Sequence, residues 1–123
     1  MGKHVLVIDD NRLILAVIHD ILTAAGHTVS KSEDGLYCND IIYGNSPPDL
    51  ILIDINLPHM TGDHKVRIMK GRPKGSQIPV VIMSSMSDHE LKTMADECGA
   101  DGYLVKPIDD QLLIKTVTHL LNE

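Results

Sequence analysis

Residues 49–62 read DLILIDINLPHMTG, and this stretch decides the fold. Positions 50–53 form a short apolar run rich in β-branched residues, the pattern of a strand buried on both faces. The run ends abruptly on a carboxylate, Asp54, after which Pro58 and Gly62 punctuate a loop. A charged group at the carboxyl end of a buried strand is costly unless something pairs with it or uses it. Taken alone, Asp54 would suit a helix N-cap or a turn. Other parts of the chain repeat the pattern, so it is not taken alone.

His4–Ile8 reads as a first buried strand that also ends on acid, Asp9 and Asp10. Ile14, Val17, Ile18, Ile21, Leu22 and Ala25 then recur at helical spacing, with Gly26 placed for a C-cap. Residues 28–31 form a short, polar strand near an edge, and residues 35–43 a modest helix. The proline-containing loop 44–48 delivers the chain to the central strand. A short helix over 63–70 carries Val66 and Met69 on one side, and 71–76 is a surface loop. Residues 79–83 are a further buried strand, ending on Ser84 and Ser85. Leu91, Met94, Ala95 and Cys98 mark an amphipathic helix with Asp88 in its first turn. After the turn 99–102, a final strand over 103–105 ends on Lys106 and Pro107, and Leu113, Val117, Leu120 and Leu121 give a closing helix.

Five strands alternating with five helices imply a parallel sheet covered on both faces. Right-handed crossovers put every strand's carboxyl end on one edge of that sheet. Asp9, Asp10, Asp54, Ser84 and Lys106 therefore gather there, where open α/β sheets bind their ligands. Three crowded carboxylates raise one another's pKa, and a divalent cation relieves the repulsion. An all-oxygen, solvent-accessible site favours Mg²⁺ over zinc. With an ammonium from Lys106 and a hydroxyl from Ser84, the set suits phosphoryl transfer onto an aspartate. Lys106 as a plain ion-pair partner and Ser84 as a helix cap stay open when each residue is read singly.

Composition narrows the class. At 123 residues the chain reads as one domain, 1–123, with a formal net charge of −6 and no basic block. That balance argues against direct nucleic-acid binding, as do three Tyr with no Phe or Trp. Cys38 and Cys98 have no metal-ligand spacing and read as reduced structural thiols. The seven histidines lack ligand spacing and are expected mostly at the surface. No apolar run reaches membrane-spanning length, and the N-terminal MGKHVL matches no signal peptide, so a cytoplasmic protein without membrane association is expected.

The chain resembles, end to end, the receiver domain of bacterial two-component response regulators. The residues that carry the resemblance are Asp9–Asp10 after the first strand, Asp54 after the third, Ser84 after the fourth and Lys106–Pro107 after the fifth. The loop from Asp54 to Gly62 and the turn from Gly99 to Tyr103 fit as well. The resemblance implies a flavodoxin-like, doubly wound five-stranded sheet in the order 2-1-3-4-5. It further implies Mg²⁺ held by Asp10, Asp54 and the backbone carbonyl of Asn56, with Asp9 often acting through water. Asp54 would accept a phosphoryl group from a histidine kinase or a histidine phosphotransfer protein. Ser84 and Tyr103 would move inward in response, changing the face made by the fourth helix, fifth strand and fifth helix. A downstream effector, a C-terminal output domain or a second phosphorylated copy would read that face. The Lys106–Pro107 peptide would be cis. Ile108, Ser85 and Met86 depart from the common pattern, which touches phosphate lifetime rather than the phosphorylation machinery.

Two rival readings use the same residue types. A haloacid-dehalogenase-type phosphatase also employs Asp, Ser/Thr, Lys and Mg²⁺. Here, however, Asn56 stands where its second aspartate belongs, and the chain has no room for a cap domain. A flavodoxin-like cofactor binder would present amides and hydroxyls where this chain places the acidic Asp9–Asp10 loop.

Overall fold

The computed structural model describes residues 2–122. In chain order the elements are β1 (His4–Ile8), α1 (Arg12–Ala24), β2 (Thr28–Ser32), α2 (Asn39–Ile42), β3 (Leu50–Asp54) and α3 (Gly62–Lys70). They continue with β4 (Val80–Ser84), α4 (Asp88–Cys98), β5 (Gly102–Val105) and α5 (Asp110–Leu120). All pairings are parallel and the strand order is β2-β1-β3-β4-β5. This is the doubly wound sheet that the strand–helix alternation implies.

Strand side chains alternate between two cores because successive residues point to opposite faces. Leu6, Ile8, Ile51, Ile53 and Ile82 meet α2, α3 and α4 through Ile42, Val66, Met69, Leu91 and Ala95. Val5, Val7, Leu50, Leu52, Val81 and Met83 meet α1 and α5 through Leu15, Ile18, Leu22, Leu113 and Val117. Each strand of the sheet's centre is thus buried on both sides, which is why β1, β3 and β4 read as unbroken apolar runs. Three helices, α1, α4 and α5, start on side-chain caps. Asn11 accepts from the Leu13 and Ile14 N–H groups, Ser87 from Glu90, and Asp109 from Leu112. Gly99 closes α4 with φ 86°, a left-handed position that favours glycine.

Three local expectations need revision. The helix expected over 35–43 shrinks to the single turn of α2. Asp34 accepts the Leu36 N–H at 2.6 Å and the Cys38 thiol donates to the Gly35 carbonyl, so local turns take the backbone groups a longer helix would need. On α1, Leu15 is buried whereas Val17 is 46% exposed, so the core-facing stripe is rotated from the one the spacing suggested. The loop after α3 ends in a 3₁₀ turn, Gly75–Gln77. Cys38 and Cys98 are free and buried, as expected of structural thiols, and His27 is buried unlike an ordinary surface histidine. Among the described residues no helix is long and apolar enough to cross a membrane.

Candidate functional site

The carboxyl ends of β1, β3, β4 and β5 meet at one edge of the sheet, and each delivers a polar side chain there. Asp54 is the last residue of β3 and is 4% exposed; Asp9, just past β1, is fully buried. Asp10 beside it is exposed. One carboxylate oxygen from each of Asp9, Asp10 and Asp54 lies within 4.8 Å of the others. Lys106, reaching in from the end of β5, donates to Asp9 Oδ2 at 2.8 Å and to Asp54 Oδ1 at 2.9 Å. The remaining oxygen of Asp9 accepts the Asn11 N–H at 2.9 Å. Both oxygens of Asp9 therefore accept from protein donors, while among the described residues Asp10 and the second oxygen of Asp54 accept from none.

Ser84 closes β4 and is buried, its Oγ accepting the Met86 N–H at 3.2 Å. Its hydroxyl proton is left for another acceptor. The Lys106–Pro107 peptide is cis, as the resemblance implied. Behind Asp54 the loop folds back so that the Gly62 N–H donates to the Ile55 carbonyl at 2.9 Å. A Cβ at Gly62 would collide with the Asp54 carbonyl, so only glycine permits this return. Asn56 lies exposed in that loop, two residues beyond Asp54. Tyr103 is not among the clustered groups. It is half-buried on β5 against the α2–α3–α4 core. Its phenol is held above the ordinary tyrosine value by the Asp88 carboxylate first, then by partial burial and Asp96.

The electrostatics follow from crowding. Burial raises the Asp54 carboxyl above the ordinary carboxylate range; Lys106 opposes this, and the charges of Asp9 and Asp10 add to it. Burial alone would lower the Lys106 ammonium, yet its hydrogen bonds to Asp9 and Asp54 outweigh that and hold it above the usual lysine value. Three carboxylates facing one ammonium leave negative charge uncompensated. The donor set is all oxygen and partly open to solvent, which fits a hard divalent cation such as Mg²⁺.

The pattern of the Response regulator receiver domain family matches residues 5–118. The chain belongs to that family. Receiver domains are signalling modules of two-component systems, which interact with histidine kinases and output domains. The chain is 32% identical over 121 residues to the TorCAD operon transcriptional regulatory protein TorR of Escherichia coli O157:H7, a match covering 98% of this chain and 51% of that protein. It thus spans about half the length of that relative. To the polar-differentiation response regulator DivK of Brucella anthropi it is 28% identical, covering 100% of this chain and 99% of that one. Its structure superposes on the chemotaxis response regulator CheY4 of Vibrio cholerae with a TM-score of 0.89 and 28% identity, covering 98% of this chain and 99% of that chain.

One feature of this receiver domain's site escaped the sequence reading. Leu13 is 73% exposed at the start of α1 and, with Ile14, Val17, Pro107 and Ile108, forms an apolar ledge beside Lys106, around a hollow of about 260 Å³. The signal was present, since α1 carries apolar residues on more than one face, but helical spacing alone does not say which of them the sheet covers.

Proposed function

We propose that this domain takes a phosphoryl group onto Asp54 and that residues 1–123 act as one phosphorylation-switched receiver. The observation that carries the reading is the Lys106 ammonium shared between Asp9 and Asp54, beside an Asp54 oxygen that no donor among the described residues occupies. That oxygen attacks the phosphorus of the donor's phosphohistidine. A P–O bond forms, the P–N bond breaks, and the imidazole leaves with the electron pair. Charge on the phosphoryl oxygens is met by the Lys106 ammonium and by the Ser84 hydroxyl. Asp9, locked by Asn11 and Lys106, keeps that ammonium aimed. Asp10, Asp54 and the Asn56 carbonyl would hold Mg²⁺, with Asp9 behind them acting through water. When bound, the ion neutralises the crowded carboxylates and the incoming phosphoryl oxygens.

The apolar ledge of Leu13, Val17, Pro107 and Ile108 supports a protein donor, a histidine kinase or phosphotransfer protein, because a small phosphodonor has no use for it. Ser84 and Tyr103 act as switch residues. Tyr103, half-buried beside Asp88, turns inward when Ser84 is drawn to the phosphate. The face of α4, β5 and α5, where Leu112, Lys115 and His119 lie, then differs between states and can control an effector, an output domain or a second copy.

Labelling with acetyl phosphate tests the assignment. The chain is expected to take up about one phosphoryl group and lose it slowly, whereas a phosphatase would turn over. Asp54→Asn is expected to keep the fold and take up none; undiminished labelling of that variant would falsify the mechanism. Asp10→Ala, or excess chelator, is expected to slow labelling strongly, and normal rates in chelator would remove Mg²⁺ from the scheme.

A further inference from the structure

The flank of α4 turned away from Tyr103 carries a groove that the proposed switch does not use. Met86, His89, Glu90, Thr93, Met94 and Glu97 line about 400 Å³ of open concavity. Met86 and Met94 are half-buried, their inner ends packed on the α2–α3–α4 core. Methionine is flexible and polarisable, so such a floor adapts to an apolar side chain laid on it. The rim carries two carboxylates, Glu90 and Glu97, whereas Asp88 and Asp96 lie on the Tyr103 side of α4. The groove's lining holds neither Lys nor Arg beside Glu90 and Glu97, and its one imidazole is His89.

The groove also begins at the phosphorylation site. Met86 donates its backbone N–H to Ser84 Oγ at 3.2 Å, so the floor is tied to a residue that the proposed function moves. Drawing Ser84 toward a phosphoryl group strains or breaks that bond and shifts Met86.

We propose that this groove docks a basic amphipathic segment of a partner protein. An apolar side chain sits on Met86 and Met94, Lys or Arg side chains face Glu90 and Glu97, and the Ser84–Met86 bond makes the fit depend on phosphorylation. The dependence, though not the groove itself, rests on Asp54 being the phosphoacceptor.

Methionine-methyl NMR of the full chain reads the groove directly. The probe is a synthetic amphipathic helix with Leu on one face and Lys on the others, beside a counterpart with Glu for every Lys. The Lys peptide is expected to move the Met86 and Met94 methyl signals saturably, leaving the core residues Met69 and Met83 still. The Glu peptide is expected to move none. Glu90→Gln with Glu97→Gln, which keeps a capping side chain at position 90, is expected to weaken binding roughly tenfold. Beryllofluoride is expected to change the affinity severalfold. Equal response to both peptides, shifts confined to α1 or α5, or Met86 and Met94 shifts that depend on protein concentration without peptide would each overturn the stated occupant. An affinity unchanged by beryllofluoride would overturn the coupling. Failure of Asp54 labelling with groove binding intact would overturn the phosphoacceptor assignment and the coupling, and leave the docking site standing.

Discussion

The Asp54 carboxylate is a charge that the fold around it disfavours. Its folded-state pKa lies above the ordinary value, through burial first and then Asp9 and Asp10. Between the ordinary carboxylate pKa and that raised value, the native state binds more protons than the unfolded state, so this group's contribution to stability falls as pH rises through the window. In the presence of chelator at neutral pH, Asp54→Asn is expected to raise the melting temperature by a few degrees, about 1 kcal/mol for a domain of this size. A thermal melt showing clear destabilisation would contradict it. Lys65 makes the same point away from the site. It is 3% exposed on α3 and its ammonium donates to Asn39 of α2, with no carboxylate partner among the described residues. Burial lowers its pKa, with Arg72 adding and Cys38 and Asp34 opposing. The unfolded state then binds more protons between that lowered value and the ordinary lysine range, so Lys65's contribution rises with pH across that window. Lys65→Met is expected to stabilise the domain by about 1–3 kcal/mol near neutrality. The difference from the unaltered chain is expected to shrink as pH climbs through the window; a constant difference in denaturant melts would overturn it.

At the scale of elements, the termini do most of the positioning. Asn11 serves twice, its side chain capping α1 and its backbone N–H locking Asp9. Asn11→Ala removes only the first role and is expected to cost about 1 kcal/mol, with phosphorylation nearly unchanged because the backbone donor stays. A large loss of labelling rate would show that the cap and the lock are inseparable. Gly62 is different, since any Cβ there meets the Asp54 carbonyl. Gly62→Ala must move the loop off the end of β3, which is expected to destabilise by about 2–4 kcal/mol and slow labelling as well. Urea titration and acetyl phosphate uptake, measured on the same sample, check both parts.

The whole molecule separates the chemistry at the sheet edge from the surfaces around it. Leu13→Lys with Val17→Lys leaves Asp54 and Lys106 untouched, so uptake from acetyl phosphate is expected to stay normal. Transfer from a phosphorylated protein donor is expected to fall tenfold or more, roughly the effect of losing one well-packed apolar contact; equal loss with both donors would place the ledge's role elsewhere. The strands, their order of chemistry and the meeting of Asp9, Asp10, Asp54, Ser84 and Lys106 were all legible in the chain. Apolar runs long enough to be buried on both faces admit few arrangements, and right-handed crossovers send their carboxyl ends to one edge. What the chain left open depended on contacts between residues distant in sequence. Periodicity put Val17 rather than Leu15 in the core-facing stripe and packing reversed this, since α1 is apolar on more than one side and the neighbouring α5 decides which part is covered. Nor did sequence spacing show that Lys106 bridges Asp9 and Asp54, or that Lys65 is buried and bonded to Asn39 of α2. Local sequence sets which residues can form strands and where they stop, because those preferences act over a few residues. Burial and ion pairing are decided by packing across the sheet, and only the folded chain brings those partners together.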